Sequence, residues 1–155
     1  MYWAKREEGF TLIEVMMVVV ILAVLAAVAT PKYASSADTA RKNADIASAH
    51  EVKTALDRYQ IENGLYLKLA DVTETNGTIS ASKFIPAYIS KLDSTITQQR
   101  VNETQRGFGI GELSVVGLSS SPTHVIMIYL TANGSGAEVR AYDETLTSVL
   151  WSSVD

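Results

Sequence analysis

At 155 residues with 47% apolar composition, the chain is long enough for one ordinary domain plus one extra element and apolar enough to bury a core, which argues against disorder. Its formal net charge of −4 and pI near 5.2 lack the basic profile of a dedicated nucleic-acid binder. The absence of cysteine removes disulfides, thiolate metal sites and cysteine nucleophiles, and leaves His50 and His124 as the only imidazoles.

The first informative element is the run Phe10–Ala29, FTLIEVMMVVVILAVLAAVA, which holds one ionisable side chain, Glu14. As a helix rising 1.5 Å per residue it would span about 30 Å, the thickness of a bilayer's hydrocarbon core. Lys5 and Arg6 precede the run, and basic flanks stay cytoplasmic, so the remainder of the chain is expected to face outward. Pro31 follows closely. It lacks an amide proton and crowds the preceding turn, which predicts a kink or a weakened turn. Beyond it Ile46, Ala49, Val52, Leu56 and Tyr59 recur at spacings of three and four, so an amphipathic helix is predicted to continue to Asn63-Gly64, a stop signal.

From Leu65 to Arg106 the pattern is irregular, with a turn at Asn76-Gly77 and a hydrophobic cluster in FIPAYISKL, Phe84 to Leu92. Strand-like runs follow at Glu112–Leu118, His124–Thr131, Glu138–Tyr142 and Leu146–Trp151, with a hairpin signal at Asn133–Gly136. They predict an antiparallel meander whose apolar face covers the stripe of Val52, Leu56 and Tyr59.

The stretch KREEGFTLIEVMMVVVILAVLAAVATPKY resembles the type IV pilin and type II secretion pseudopilin family. The matching features are a short basic leader, Gly9, Phe10 as a new N-terminus, the Thr11-Leu12-Ile13-Glu14 run and Pro31, and the likeness continues through ALDRYQIENGLY, Ala55 to Tyr66. An ordinary secretory signal loses its apolar region on cleavage, whereas here that region lies after Gly9 and is kept. The resemblance implies cutting between Gly9 and Phe10 by a prepilin peptidase and methylation of the Phe10 amine. It further implies that Glu14 meets the N-terminal amine of a neighbouring subunit, and that the chain around Pro31 can unwind in a filament.

The expected architecture is α+β: a long N-terminal helix, its apolar half in a membrane or filament core, packed by its C-terminal half on an antiparallel sheet of about four strands. The expected segments are a cleaved leader at 1–9, a transmembrane and polymerisation half-helix at 10–34 and an extracellular globular domain at 35–155. Processing falls to Gly9 and Phe10, and assembly to Phe10, Glu14 and Pro31. The expected function is that of a structural, non-catalytic subunit of a type IV pilus, first held in the membrane and then built into an extracellular filament. Its implied partners are other pilin subunits, the prepilin peptidase, the pilus assembly machinery and the membrane, with no nucleic acid, cofactor or metal. A type II secretion pseudopilin is the alternative within the family, and a membrane-tethered binding or enzymatic domain the alternative outside it.

Other motifs are read more plainly. Glu14 could simply reach a membrane's polar interface, and Pro31 could end the membrane helix, but the FTLIE context and the resumed periodicity favour assembly and a kink. Gly107-Phe108-Gly109-Ile110-Gly111 imitates a phosphate loop without its lysine, so strand or turn glycines are preferred. His50 and His124 are read as solvated. Asp143-Glu144 is read as a turn in preference to part of a calcium site. Replacing Gly9 by Trp is expected to leave an uncleaved precursor, heavier by the leader in an intact-mass measurement, and normal processing in that variant would place the cut elsewhere.

Overall fold

The helical periodicity becomes one element, α1 (Leu12–Asn63), in a computed structural model that describes residues 9–114 and 117–154. The basic flank Lys5-Arg6, with the rest of the leader to Glu8, lies outside the described residues. The chain divides into two units, Met1–Ala37 and Asp38–Asp155.

In the first unit the described residues are almost all exposed. α1 contains a window of mean hydropathy 3.0, none of it buried, long and apolar enough to cross a membrane. Pro31 lies inside α1, not at its end, and the helical assignment runs through it.

In the second unit α1 continues to the Asn63-Gly64 stop. Gly64 adopts φ 82° and donates its N–H to the Gln60 carbonyl at 2.8 Å, while the Asn63 side-chain amide donates to the Tyr59 carbonyl. A glycine takes this left-handed step without the Cβ clash another residue would suffer. The chain then forms a 3-10 turn (Leu69–Asp71) and a small hairpin, β1 (Thr73–Thr75) and β2 (Thr78–Ser80), with Asn76 and Gly77 both at positive φ in its two-residue turn. The cluster expected in Phe84–Leu92 is present: Phe84, Ile89 and Leu92 are buried, and the Phe84 and Tyr88 rings lie 6.1 and 5.1 Å from that of Tyr59.

A second 3-10 turn (Glu103–Gln105) leads to β3 (Phe108–Ser114), β4 (Gly117–Leu118), β5 (Ile126–Leu130), β6 (Ala137–Tyr142) and β7 (Val149–Ser152), arranged β4-β3-β5-β6-β7. The α+β class holds, with differences in detail. The expected strand Glu112–Leu118 is instead the end of β3 hairpinned to β4, residues 115 and 116 lying outside the described set. β3 and β5 pair in parallel, Phe108 opposite Ile126, so the five-stranded sheet is mixed where a simple meander was expected. The β4 hairpin returns the chain to the starting end of β3, which lets β5 run alongside in the same direction.

β5 is buried at every position, which explains its continuous apolar run IMIYL. Ile126, Ile128 and Leu130 join Ala49, Val52 and Leu56 of α1 in the main core, while Met127 and Tyr129 point to a smaller cluster with Tyr142. A Cβ on Gly109 would overlap the Met127 sulfur, and one on Gly111 the Tyr129 ring. The glycine run is therefore a strand whose bare positions admit large neighbours, in keeping with the strand or turn reading.

A chain beginning at Ser35 is expected to be a soluble, folded monomer whose melting temperature is insensitive to reductant. Within it Leu56→Ala should lose about 2–5 kcal/mol, because Leu56 is 1% exposed, whereas Ile61→Ala at 79% exposure should change little. Denaturant titrations by circular dichroism measure both.

Candidate functional site

The candidate site is the start of α1. A Cβ placed on Gly9 would meet no atom within 4 Å, and Phe10 is 78% exposed, so nothing described crowds the expected cut between them. Thr11 is the residue before the helix. Its carbonyl accepts the N–H groups of Glu14 at 3.1 Å and Val15 at 3.3 Å, and its hydroxyl accepts the Glu14 N–H at 3.3 Å. Thr11 thus serves as an N-cap, a role that the sequence reading passed over although the Thr-x-x-Glu spacing announces it.

That cap fixes Glu14 in the first turn of α1, where unpaired amide protons favour a carboxylate. Among the described residues the Glu14 side chain has no hydrogen bond or ion pair, and it is exposed beside Leu12, Ile13 and Val15. The arrangement is an exposed apolar helix start carrying one carboxyl side chain and, if the chain is cut after Gly9, a nearby amine. Pro31 removes one donor from the helix ladder, that for the Ala27 carbonyl, and beside it the Thr30 hydroxyl donates to the Ala26 carbonyl at 2.8 Å. Phe10 and Glu14 belong to the same helix start, and Pro31 lies more than four turns further along α1.

The histidines divide. His50 is exposed, as read from the sequence, with its ring centroid 4.0 Å from that of Trp151. His124 is not solvated: it is 6% exposed, with Nδ1 2.9 Å from the Thr123 hydroxyl and Nε2 3.8 Å from Glu74. The sequence reading missed this because Glu74 arrives from a hairpin far away in the chain. His124 borders a polar cleft of about 720 Å³ that Glu74, Asn76, Ser94 and Arg106 also line. Among the described residues no group of three or more histidines and acidic residues is placed to hold a metal. Asp143 is occupied by its own turn, accepting from the Thr147 and Ser148 N–H groups at 3.1 and 3.2 Å and from the Thr145 hydroxyl at 2.8 Å.

A family described as the prokaryotic N-terminal methylation motif matches residues 4–30. The type II secretion system core protein G of Pseudomonas aeruginosa is 40% identical over 62 residues, which are 40% of this chain and 44% of that protein. Its counterpart in Vibrio cholerae is 36% identical over 62 residues, 42% of its length. The type IV major pilin protein PilE of Neisseria gonorrhoeae is 32% identical over 108 residues, 65% of this chain and 63% of that pilin. The matches thus span less than half of these two secretion proteins, and no solved structure gives a significant match. Residues 4–30 thus carry the likeness to an N-terminal methylation motif, at the start of the long apolar helix α1. Over the stretches matched, the chain is similar to a type IV major pilin and to type II secretion core proteins G.

Burial pushes the His124 imidazole below its usual value near 6.5, with Glu74 pulling weakly the other way. A depressed histidine favours folding when neutral. Its contribution is complete above the unfolded value and is lost as pH falls through about 6.5 toward the folded one. His124→Gln should therefore give a shallower fall in melting temperature between pH 7.5 and 5.5 than the parent protein, measured by calorimetry.

Proposed function

We propose that this chain is a structural subunit of a type IV pilus. It is made as a membrane-held precursor, cut between Gly9 and Phe10, methylated on the new amine and polymerised through the first half of α1 into an extracellular filament. The observation that carries this reading is the carboxylate of Glu14, without a partner among the described residues, in the first turn of an exposed apolar helix. An anchor has no use for it, since a carboxylate at a membrane helix centre costs up to about 3 kcal/mol on insertion scales and less near the interface. A filament does, because a neighbouring subunit shifted along the axis can bring its cationic Phe10 amine to Glu14 in apolar surroundings, where the pair is favourable only if both partners are present. Pro31 then supplies a place where the apolar half can loosen from the rest of the helix. No catalytic step is part of this function.

The pilus reading is preferred to the pseudopilin one because the likeness to the gonococcal pilin extends over 108 residues, more than the leader and α1 together contain. The second reading, a pseudopilin of a type II secretion system, draws its support from the higher identity of 40% over the shorter 62-residue stretch. Electron microscopy of sheared surface material separates them. A pilus subunit is the bulk component of long filaments, whereas loss of a pseudopilin halts export of folded proteins without removing a surface fibre.

Glu14→Val should insert and be processed normally yet fail to enter filaments when it is the sole subunit, and Glu14→Asp should be milder. Processed Glu14→Val chains that form normal amounts of filament alone would overturn the role given to this carboxylate.

A further inference from the structure

Three of the chain's asparagines begin the tripeptide Asn-x-Ser/Thr, at Asn76, Asn102 and Asn133, the acceptor pattern for N-linked glycans on surface loops of exported proteins. The fold treats them differently. Asn76 sits at φ 51° in the tight β1–β2 turn, and its Thr78 is half-buried in the β2 ladder. The Asn133 side-chain oxygen accepts the Ser135 N–H at 3.0 Å, and the Ser135 hydroxyl turns to Thr131. Both tripeptides are committed to turns.

Asn102-Glu103-Thr104 is free. All three residues are exposed, and Asn102 stands before the second 3-10 turn in an extended conformation, φ −60° and ψ 151°, without using its side chain as a cap. Among the described residues neither the Asn102 amide nor the Thr104 hydroxyl has a hydrogen-bond partner. Of the other asparagines in this unit, Asn63 and Asn133 have their side chains drawn into local bonds. Glu103 and Thr104 also border the 720 Å³ cleft, as does Asn76, and the residues that line it are all polar or charged. A cleft lined by polar side chains beside the acceptor suits the hydroxyls of a carbohydrate.

We propose that Asn102 is the site of an N-linked glycan whose first sugars lie along this cleft; the proposal rests on the reading that residues 35–155 face outward. The donor is an oligosaccharide held on a lipid diphosphate. The Asn102 amide nitrogen attacks the anomeric carbon, the C–N bond forms as the C–O bond to the diphosphate breaks, and the departing lipid diphosphate and one amide proton complete the balance.

The test uses the full chain isolated from the membranes and sheared surface material of the organism that makes it. Trypsin releases Val101–Arg106, because Arg100 and Arg106 flank the tripeptide. Mass spectrometry is expected to find sugar mass on Asn102 in this peptide, absent from Asn102→Gln and Thr104→Ala but kept in Thr104→Ser, which retains the hydroxyl. A bare Val101–Arg106, or sugar on Asn76 or Asn133 with Asn102 bare, overturns the proposal. Protease added outside intact cells tells whether the export reading falls with it: a bare peptide from a chain whose residues 35–155 are cleaved by that protease refutes the glycan alone, and one from a chain protected from it refutes both.

Discussion

The globular unit depends on one contact, the stripe Ala49, Val52, Ala55, Leu56 and Tyr59 of α1 against Ile126, Ile128 and Leu130 of β5. A helix cannot hold such a stripe in water, and a sheet with an apolar face cannot stand alone, so each element supplies the surface the other lacks. Each side chain fully buried in this way contributes about 1.5–3 kcal/mol relative to exposure. β3, β6 and the Phe84–Leu92 segment then close around the same core, with Phe108, Val139, Ala141 and Phe84 buried in it. The early part of α1 carries apolar residues all round and has no such stripe, so its partner must be an apolar medium or another chain.

A buried carboxylate fastens the long connection to this core. Asp45 is 0% exposed on α1 and accepts the backbone N–H groups of Gln98 and Gln99 at 2.6 and 3.1 Å. Burial pushes its carboxyl above the usual value, and the two amide bonds pull it back. Around it the Gln99 side-chain amide donates to the Tyr142 carbonyl and the Thr97 hydroxyl accepts the Gly107 N–H, both at 2.9 Å. The segment between the β1–β2 hairpin and β3 is thus irregular in outline yet anchored by hydrogen bonds that its backbone would otherwise lack.

Periodic and local features were legible in the sequence, and distant pairings were not. The Ile46–Tyr59 stripe, the Asn63-Gly64 stop and the Asn76-Gly77 turn follow from neighbours no more than four positions apart, and the structure reproduces them. The parallel β3–β5 pairing escaped notice because periodicity identifies a strand's faces but not its partner. His124 was misjudged for the same reason: its burial depends on Glu74 and on the cleft, both assembled from distant segments. No local pattern marks Asp45, and only the return of residues 98 and 99 turns it into a clasp. At the candidate site the residues were legible individually, and the Thr11 cap that sets the position of Glu14 was within reach of the sequence through its Thr-x-x-Glu spacing.

The clasp also orders events in time. Asp45 and its two partners are separated by 53 and 54 positions, and the β5 residues that cover Leu56 are synthesised later still. Closing a loop of that length carries an entropic penalty that only the finished core can offset. During synthesis, therefore, the first half of α1 emerges long before any strand exists to shield the second half. The Val52–Tyr59 stripe stays open to water, or to whatever receives the nascent chain, until the last third of the polypeptide arrives. The globular half thus cannot complete its core until that part of the chain has been made.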